Sequence, residues 1–411
     1  MTQNSGIFAG LKVVDVASYI AAPAAATILS DFGAEVIKVE PPKIGDPYRY
    51  LYHVEGNPTS DKNYYWQVTN RNKRSLAVDL KTPAGVEIIS KLIKDADVFI
   101  INFPPHVRKA LGLMYEDVTR LNPKIIYADL TGYGEKGPEA DKPGFDETAY
   151  WARSGFIDFA RMAGTPPTFS IGGSGDHPAA TALYGGIVTA LYRREKTGKG
   201  SHVTTSLIGS AAWAVGAWLQ AALDGATPAR PQDRTNPVNP LLNTYRTQDD
   251  RWLMLCFVTE EKEWPGLVQT IGNPGLLTDA RFATGKARRQ HSKELTQILD
   301  AAFATKPLSY WREALDKLRL TFSVVQTLDE LASDPQLIFN DGIREIKNGT
   351  GTKSFTVDSP VYILEEQKVQ PGLAPGLGEH NIEILTELGY SDSEIDALNE
   401  GGVIAQPKKA A

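Results

Sequence analysis

A glycine-rich stretch at residues 170–181, SIGGSGDHPAAT, brings one carboxylate, Asp176, to the start of a predicted helix. Two interpretations fit this aspartate. It is a favoured helix N-cap, because its side-chain oxygen accepts a hydrogen bond from a free backbone N–H group, and Pro178 suits the first helical turn. Alternatively, it is a reactive group. A helix N-terminus stabilises an anion and would keep the acid ionised, while the glycines let a bulky partner approach the backbone.

Other sequence motifs that carry chemistry are weak. GYGEKG at residues 132–137 has the glycine spacing of a dinucleotide-binding loop, but PEADKPGFD follows where that motif requires a helix, so we predict a turn. The first βα turn, SYIAAPAAA, lacks the glycines that admit a pyrophosphate. A nicotinamide-dependent dehydrogenase is therefore a weak hypothesis. With one cysteine and six scattered histidines, no metal site is predicted.

Length and composition set the class of protein. The chain has 411 residues, more than one ordinary core holds, so two domains are expected. A net charge of −6 argues against nucleic-acid or membrane-surface binding. The apolar stretch AAWAVGAWLQAAL at 211–223 is too short to cross a bilayer and is predicted to be a buried helix. We see no secretory signal, and the single cysteine, Cys256, suits a cytoplasmic protein.

The first part of the chain alternates between strand and helix patterns, which predicts an α/β domain with a parallel sheet. Helices are expected at AAPAAATILSDFG and GVEIISKLIKDA, and strands at LKVVDVAS, AEVIKVE, RNKRSLAVDLKT, DVFIINF and KIIYADLTGYG. Ligands of such sheets bind at the carboxyl ends of the strands. Any site in this domain is therefore expected there.

The middle of the chain changes character. Residues 224–245 are rich in proline, asparagine and arginine and are predicted to form a linker or crossing segment. The strand RWLMLCFV and mostly helical sequence follow, which predicts a smaller α+β domain. The predicted division is 1–225 for the first part of the large domain, 226–335 for the small domain and 336–411 for a C-terminal return. The return is expected to end in two short helices, the second beginning at a capping box, SDSE.

Several segments taken together resemble the class III CoA-transferase family, which also contains 2-methylacyl-CoA racemases. They are GLKVVDVASYIAAPAAATILSDFGAEVIKVEPP, GDPYR, NRNKRSLAVDLKTPAG, DVFIINF, LNPKIIYADLTGYGEKGP and the run from GDHPAA to TALYRREKTGKG. The resemblance covers essentially the whole chain. GYGEKGPEADKPGFDETAYWARSG and GDHPAAT are most similar to transferases of 2-hydroxy acids such as phenyllactate and 2-hydroxyisocaproate. The family implies a large Rossmann-like domain, a smaller domain and a chain that forms a ring interlocked in a homodimer.

The resemblance implies that Asp176 is the nucleophile. A carboxylate attacks the donor thioester to give a mixed anhydride, and the CoA thiolate then forms an aspartyl-CoA thioester, which the acceptor acid consumes in reverse. Acyl-CoA and carboxylic acids are then the partners, and no metal or other cofactor is implied. The glycine-rich approach and the helix start at 177–179 are candidates for the oxyanion-binding N–H groups.

Further positions are implied by the same resemblance. Those that match CoA-binding positions are Val78, Lys81, Asn102, Phe103, Leu111, Lys142 and Leu207. A family arginine position is Ala110 here, and Arg108 or Lys109 is expected to compensate. Asp146 matches a second acid near the nucleophile. It either positions the acceptor and raises the pKa of Asp176 or stabilises a turn, and both interpretations stay open.

Departures from the family patterns narrow the reaction. Formyl-CoA transferases carry a glutamine where Ile20 stands here, so formate and oxalate are poor substrates to expect. Small apolar residues at 20–22 favour a larger acyl group: 2-hydroxy, aryl or dicarboxylic acids, with succinyl-CoA as one donor. Racemases use a histidine where this chain has Phe145, and that substitution favours the transferase. Racemisation is therefore the alternative reaction. A non-catalytic binding protein is a further alternative.

Four aromatic residues are expected to form either an acyl pocket or part of the core. They are Tyr48, Tyr52, Trp66 and Trp151.

Overall fold

The structure is a computed structural model that describes residues 6–168, 171–227, 233–347 and 353–405. The chain divides into two compact units. The first consists of Met1–Phe156, Phe169–Ala226 and Pro335–Ala411, and the second of Ile157–Thr168 and Thr227–Asp334.

The helices and strands follow one another in this order. The first stretch contains β1 (Lys12–Asp15), α1 (Ala21–Asp31), β2 (Glu35–Glu40), α2 (Tyr64–Asn70), β3 (Lys73–Ala77), α3 (Pro83–Asp95), β4 (Val98–Ile101), α4 (Pro105–Leu111), α5 (Tyr115–Leu121), β5 (Ile126–Thr131), α6 (Phe156–Ala160), α7 (Asp176–Thr197), β6 (Ser201–Ser206), α8 (Leu207–Ala214) and α9 (Gly216–Leu223). Then come β7 (Leu242–Arg246), β8 (Trp252–Cys256), α10 (Glu260–Thr270), α11 (Gly285–Gln290), α12 (Ser292–Phe303), α13 (Leu308–Lys317), β9 (Phe322–Val324) and α14 (Leu328–Ala332). The last are α15 (Pro335–Phe339), β10 (Ile343–Ile346), β11 (Ser354–Val357), α16 (Asn381–Glu387) and α17 (Asp392–Glu400). Shorter helical segments are the 3₁₀ helices Pro47–His53 and Pro274–Leu277 and the π-helical turn Asp146–Ala152.

A six-stranded parallel sheet organises the described part of the first unit, with strand order β3-β2-β1-β4-β5-β6. This confirms the predicted α/β class. Apolar clusters cover both faces of the sheet, which is why β4 and β5 are uninterrupted runs of buried residues. The strand order reverses between β1 and β4, so the loops after these two strands diverge and leave a crevice at the carboxyl edge.

Helix α1 is buried along its whole length and is rich in alanine. Small side chains let neighbouring helices approach closely, and α1 packs against α7. This packing brings the start of α7 beside the loop that connects β1 to α1. The sheet and α1 together therefore determine where Asp176 lies.

The C-terminal return adds to the first unit beside β3. The Asn381 side chain accepts a hydrogen bond from the Ala77 N–H group at 2.8 Å and donates one to the Ala405 carbonyl at 2.7 Å. Helices α16 and α17 confirm the two predicted C-terminal helices. The predicted capping box is present, with reciprocal hydrogen bonds between Ser391 and Glu394.

The second unit contains a three-stranded antiparallel sheet of order β7-β8-β9, with helices α10, α12 and α13 contributing to its apolar core. The predicted linker at 224–245 is wrong at its end, because Leu242–Arg246 pairs with β8. The proline- and asparagine-rich composition does not signal this strand. The strand forms because its backbone groups make antiparallel hydrogen bonds with Trp252–Cys256.

The predicted buried helix at 211–223 is also wrong. The chain turns at Val215, where α8 ends and α9 begins, and the two helices expose large apolar side chains. Trp213 is 87% and Leu223 is 72% exposed. The physical reason is that no described part of this chain covers that face of α8 and α9. None of the described helices combines the length and apolar composition needed to cross a bilayer.

A buried ion pair inside the first unit generates a stability prediction. Arg71 is 2% exposed and donates two hydrogen bonds to Asp31, at 2.9 and 2.6 Å. Because Arg71→Ala leaves the Asp31 carboxylate buried without its partner, we expect a loss of about 3–5 kcal/mol in the free energy of unfolding. Urea denaturation measures this loss. The control is Lys12→Ala, which removes an exposed pair with Asp95 and should cost at most about 1 kcal/mol. Equal effects of the two substitutions would contradict the prediction.

Candidate active site

A cavity of about 290 Å³ lies at the carboxyl edge of the parallel sheet. The loops after β1, β4 and β5, the first residue of α8 and the first residue of α7 all contribute to it. Its lining is Ser18, Tyr19, Ile20, Ala21, Pro47, Asn102, Phe103, Pro104, Leu130, Thr131, Gly132, Pro143, Gly144, Phe145, Asp176 and Leu207. Among these described residues, Asp176 is the only one whose side chain carries a charge at neutral pH.

Asp176 is the first helical residue of α7, and Gly175 is the N-cap. No side-chain capping hydrogen bond is present at this N-terminus in the described residues, so the interpretation of Asp176 as an N-cap is wrong. Its side chain is half-buried and faces the cavity rather than the helix backbone. The carboxylate is thus available to a ligand.

Asp146 lies directly behind this turn. It is 3% exposed, and one of its oxygens, Oδ2, accepts a hydrogen bond from the Gly175 N–H group at 3.2 Å. The other oxygen, Oδ1, is buried without a hydrogen-bond partner among the described residues. A Cβ atom on Gly175 would lie 2.2 Å from this Oδ1 and 2.4 Å from Cγ of Tyr150. Only glycine therefore lets Asp146 approach so closely.

Both acids of this turn have a raised pKa. Burial raises the pKa of Asp176 to about 7, and the negative charges of Asp146 and Glu147 add to this effect. Burial also raises the pKa of Asp146, against the opposing hydrogen bond from Gly175. Burial and the neighbouring carboxylates thus act against the helix N-terminus, which was expected to keep Asp176 ionised.

The first turn of α7 offers fewer free N–H groups than the sequence suggested. The His177 N–H donates to the Gly173 carbonyl and the Ala179 N–H to the Gly175 carbonyl, both at 3.2 Å. Pro178 has no N–H group. The predicted oxyanion donors at 177–179 are therefore already used within the chain.

Three of the predicted CoA-binding residues line the cavity with Asp176: Asn102, Phe103 and Leu207. The Asn102 side chain accepts a hydrogen bond from the Ser18 N–H group at 2.8 Å and donates one to the Ser18 carbonyl at 2.7 Å. This pair of bonds holds the loop after β1 against the loop after β4. Asn102 is thus a fixed part of the cavity wall.

The other predicted CoA-binding residues lie outside the cavity lining. Val78 is 1% exposed in the apolar cluster against which Phe103 and Leu111 also pack. Lys81 is exposed just before α3. Lys142 is exposed and forms an ion pair with Glu139 at 2.9 Å.

Arg108 is 1% exposed. Its guanidinium donates hydrogen bonds to Glu135 and, at 3.3 Å, to the Tyr127 hydroxyl, and it lies 3.8 Å from Asp129. These partners come from β5 and the loop that follows it, so sequence reasoning missed them. A phosphate contact by Arg108 would require it to leave this cluster.

The same cluster brings together acids and a histidine that the sequence separates. Candidate ligand atoms of Asp129, Glu135 and His202 lie within 4.8 Å of one another, although no metal site was predicted. The Arg108 guanidinium already supplies a positive charge to Glu135 and Asp129. Arg108 therefore offsets part of the negative charge of this group.

None of the four aromatic residues considered for an acyl pocket lines the described cavity. Tyr48 and Trp66 form a small apolar cluster with Ile20, Tyr52 stacks on His53, and Trp151 packs against Phe156. The aromatic side chains that do line the cavity include Tyr19 and Phe145. Tyr19 was missed because its contribution depends on a backbone conformation with φ of 65°, which the sequence does not signal.

Known proteins are similar to this chain over nearly its whole length. The model of CoA-transferase family III matches residues 8–381. The chain is 35% identical to the (R)-2-hydroxy-4-methylpentanoate CoA-transferase of Clostridioides difficile, over 96% of this chain and 98% of that protein. It is 34% identical to the cinnamoyl-CoA:phenyllactate CoA-transferase of Clostridium sporogenes, over 97% and 98%. The crystal structure of a CAIB/BAIF family protein from Brucella suis superposes with a TM-score of 0.80 at 27% identity, covering 92% of this chain and 98% of that chain.

The fold and the cavity define an α/β enzyme with one carboxylate in an apolar crevice, and the chain belongs to CoA-transferase family III. It is an enzyme that transfers CoA between carboxylic acids. The GYGEKG segment forms bends, and turns rather than a helix follow it, as predicted.

The close approach at Gly175 generates a prediction for activity. Because Gly175→Ala forces the backbone and Asp146 apart, we expect CoA-transfer activity to fall about 100-fold, the usual effect of misplacing a reacting group by about 1 Å. A steady-state assay of CoA transfer measures this. The matched control is Gly185→Ala on the same helix, where an added Cβ meets no atom within 4 Å and activity should be unchanged. Equal activity of the two variants would show that the approach is not needed.

Proposed function

We propose that Asp176 carries CoA through a covalent cycle between the donor and the acceptor acid. The observation that supports this most is its position: the one charged side chain among the described cavity-lining residues is a carboxylate whose pKa is raised to about 7. A carboxylate of raised pKa is a stronger nucleophile when ionised, and a pKa near neutrality leaves much of it ionised.

Each turnover passes through covalent intermediates on the Asp176 carboxylate. An Asp176 oxygen attacks the thioester carbonyl of the donor, and the C–S bond breaks to give a mixed anhydride and CoA thiolate. The thiolate attacks the aspartyl carbonyl, which releases the donor acid with one Asp176 oxygen and leaves aspartyl-CoA. The acceptor carboxylate then attacks the aspartyl-CoA carbonyl, and the C–S bond breaks to give a second mixed anhydride and CoA thiolate. The thiolate attacks the acceptor carbonyl of this anhydride, which releases acceptor-CoA and leaves one acceptor oxygen on the regenerated Asp176 carboxylate. Splitting the exchange into such steps avoids one difficult transfer.

We assign Asp146 a positioning role in this cycle. Its hydrogen bond to the Gly175 N–H group holds the residue before Asp176, and its charge contributes to the raised pKa of Asp176. Since Asp146 does not line the cavity, it acts through Asp176 and its loop. The mostly apolar lining keeps water away from the anhydride and the thioester.

The substrates we propose are CoA thioesters of 2-hydroxy, aryl or dicarboxylic acids, with succinyl-CoA as one donor. The similarity to the 2-hydroxy-4-methylpentanoate and phenyllactate enzymes supports the first two classes. For CoA itself we retain the positions suggested by the family: Val78, Lys81, Asn102, Phe103, Arg108, Leu111, Lys142 and Leu207. Lys81 and Lys142 are exposed cations that suit phosphate groups.

Racemisation of a 2-methylacyl-CoA is the alternative reaction. It requires a proton-transferring group on each face of the substrate. Phe145 occupies the position of the racemase histidine and cannot transfer a proton. Among the described lining residues the carboxylate of Asp176 has no acid or base opposite it, which favours the transferase.

We also propose a homodimer, interlocked as in the family. The exposed apolar side chains of α8 and α9 support it, because a monomer would leave Trp213 and Leu223 in water.

The covalent cycle predicts that hydroxylamine traps Asp176. Acyl-CoA is added without acceptor, hydroxylamine follows, and peptides are mapped by mass spectrometry. We expect a hydroxamate on Asp176 only when donor is present, and its loss together with activity in Asp176→Ala. Asp392→Ala, which changes an exposed first residue of another helix, is the matched control and should keep full activity. A donor that is turned over without modifying Asp176 would refute the cycle.

The raised pKa of Asp176 predicts a pH dependence. Because only the ionised carboxylate attacks, the rate of CoA release from donor in a single turnover should rise with pH and reach half its maximum at about 7. Asp146→Asn removes a negative charge that raises this pKa, so its midpoint should lie at lower pH. A midpoint that stays the same or moves upward in the variant would contradict the assigned electrostatics.

A further inference from the structure

We propose that Tyr19 and Phe145 form an aromatic wall that selects apolar acyl groups, branched alkyl or aryl, and rejects acyl groups with a second carboxylate. This inference rests on the proposed function, since it concerns the acyl group that reacts with Asp176. Of the substrate classes proposed above, it favours the 2-hydroxy and aryl acids and predicts that succinyl-CoA is a poor donor.

The charges of the described lining residues disfavour a second carboxylate on the acyl group. The described lining residues contain no lysine or arginine, and their one charge is the negative charge of Asp176. Two cations near Phe145 in sequence, Lys142 and Arg153, do not line the cavity, and both are paired with Glu139 at 2.9 Å. A dicarboxylic acyl group would bury a carboxylate with no partner beside another anion, which is strongly unfavourable.

Tyr19 is fixed by buried charges. Its φ of 65° is a left-handed conformation that costs a tyrosine energy. The Asp46 carboxylate stabilises this backbone by accepting the Tyr19 N–H, at 3.1 and 3.2 Å. Asp46 is in turn held at 3.1 Å by the ammonium group of Lys38, which also donates to the Ala17 carbonyl. The backbone that carries the ring is therefore placed by a built-in ion pair rather than by a flexible loop.

Phe145 completes the wall from the opposite segment. Its ring meets the Tyr19 ring edge to face, with centroids 5.5 Å apart and an interplanar angle of 82°. Its backbone N–H donates to the Thr148 hydroxyl at 2.9 Å, which anchors it at the start of the π-helical turn. Phe145 is nonetheless 52% exposed. An apolar ligand that covers the ring removes this apolar surface from water, which favours binding.

Three further apolar side chains contribute to the cavity lining. Ile20, Leu130 and Leu207 are each at most 8% exposed in the single chain and line the same cavity. An acyl chain that contacts them and the aromatic pair must itself be apolar over most of its surface. Branched alkyl and aryl groups have this property.

The first experiment compares donors on the wild-type enzyme. The rate of hydroxamate formation on Asp176 is measured with 3-phenyllactyl-CoA, 2-hydroxy-4-methylpentanoyl-CoA, succinyl-CoA and glutaryl-CoA. We expect the two apolar donors to react at least about tenfold faster than the two dicarboxylic donors. Succinyl-CoA or glutaryl-CoA reacting as fast as the apolar donors would overturn the inference while leaving the Asp176 cycle intact.

A binding measurement separates this inference from the covalent cycle. S-phenylethyl-CoA and S-carboxypropyl-CoA are thioethers that cannot acylate Asp176, and their dissociation constants are measured by calorimetry. Tighter binding of the phenylethyl compound, by about tenfold or more, supports the aromatic wall even if hydroxylamine never labels Asp176. Equal binding, or tighter binding of the carboxypropyl compound, overturns it.

Variants assign the selectivity to the two rings. Tyr19→Gly removes one ring while keeping the left-handed backbone unstrained, and we expect the preference for the phenylethyl compound to fall several-fold. Tyr19→Phe keeps the ring and should keep the preference. Tyr192→Ala removes an exposed tyrosine from α7 and serves as the control. Phe145→Arg adds a cation and should shift selectivity toward the carboxypropyl compound. Unchanged selectivity in both Tyr19→Gly and Phe145→Arg would overturn the proposal.

Discussion

Two carboxylates meet at the turn that begins α7, and the missing side chain of Gly175 is what lets them do so. The Gly175 N–H group donates to Asp146, and a single added carbon on Gly175 would collide with the Asp146 carboxylate and the Tyr150 ring. This contact places the buried Asp146 carboxylate behind Asp176, where its negative charge adds to the effect of burial in raising the pKa of Asp176. The raised pKa of the proposed nucleophile therefore depends in part on a steric condition at a neighbouring glycine.

The rest of the first unit serves to bring this turn to the crevice. The reversal of strand order between β1 and β4 opens the carboxyl edge of the sheet, and the alanine-rich α1 holds α7 close beside it. Asn102 ties the loop after β1 to the loop after β4 through the backbone of Ser18. Buried Lys38 and Asp46 then hold the Tyr19 backbone in a conformation that its own preferences oppose. An apolar crevice with one anion is the result.

The sequence predicted what depends on local periodicity and on recognisable segments. Alternating strands and helices gave the parallel sheet, and the SDSE segment gave the capping box of α17. Asp176 was singled out from its glycines and from a family resemblance. What escaped prediction depends on contacts distant in sequence. The partners of Arg108 lie on β5 and in the loop after it, and β7 is stabilised by pairing with β8. Trp213 is exposed because no described residue of this chain packs over it.

The most direct test of the central claim follows an oxygen atom. The enzyme is turned over many times with a donor thioester and an acceptor acid labelled with ¹⁸O in its carboxylate, and the peptide containing Asp176 is then weighed by mass spectrometry. The covalent cycle passes one acceptor oxygen to Asp176 in each turnover and from there to the released donor acid. We therefore predict ¹⁸O in the Asp176 carboxylate and in the donor acid. Full turnover with an Asp176 peptide of unchanged mass would contradict the account.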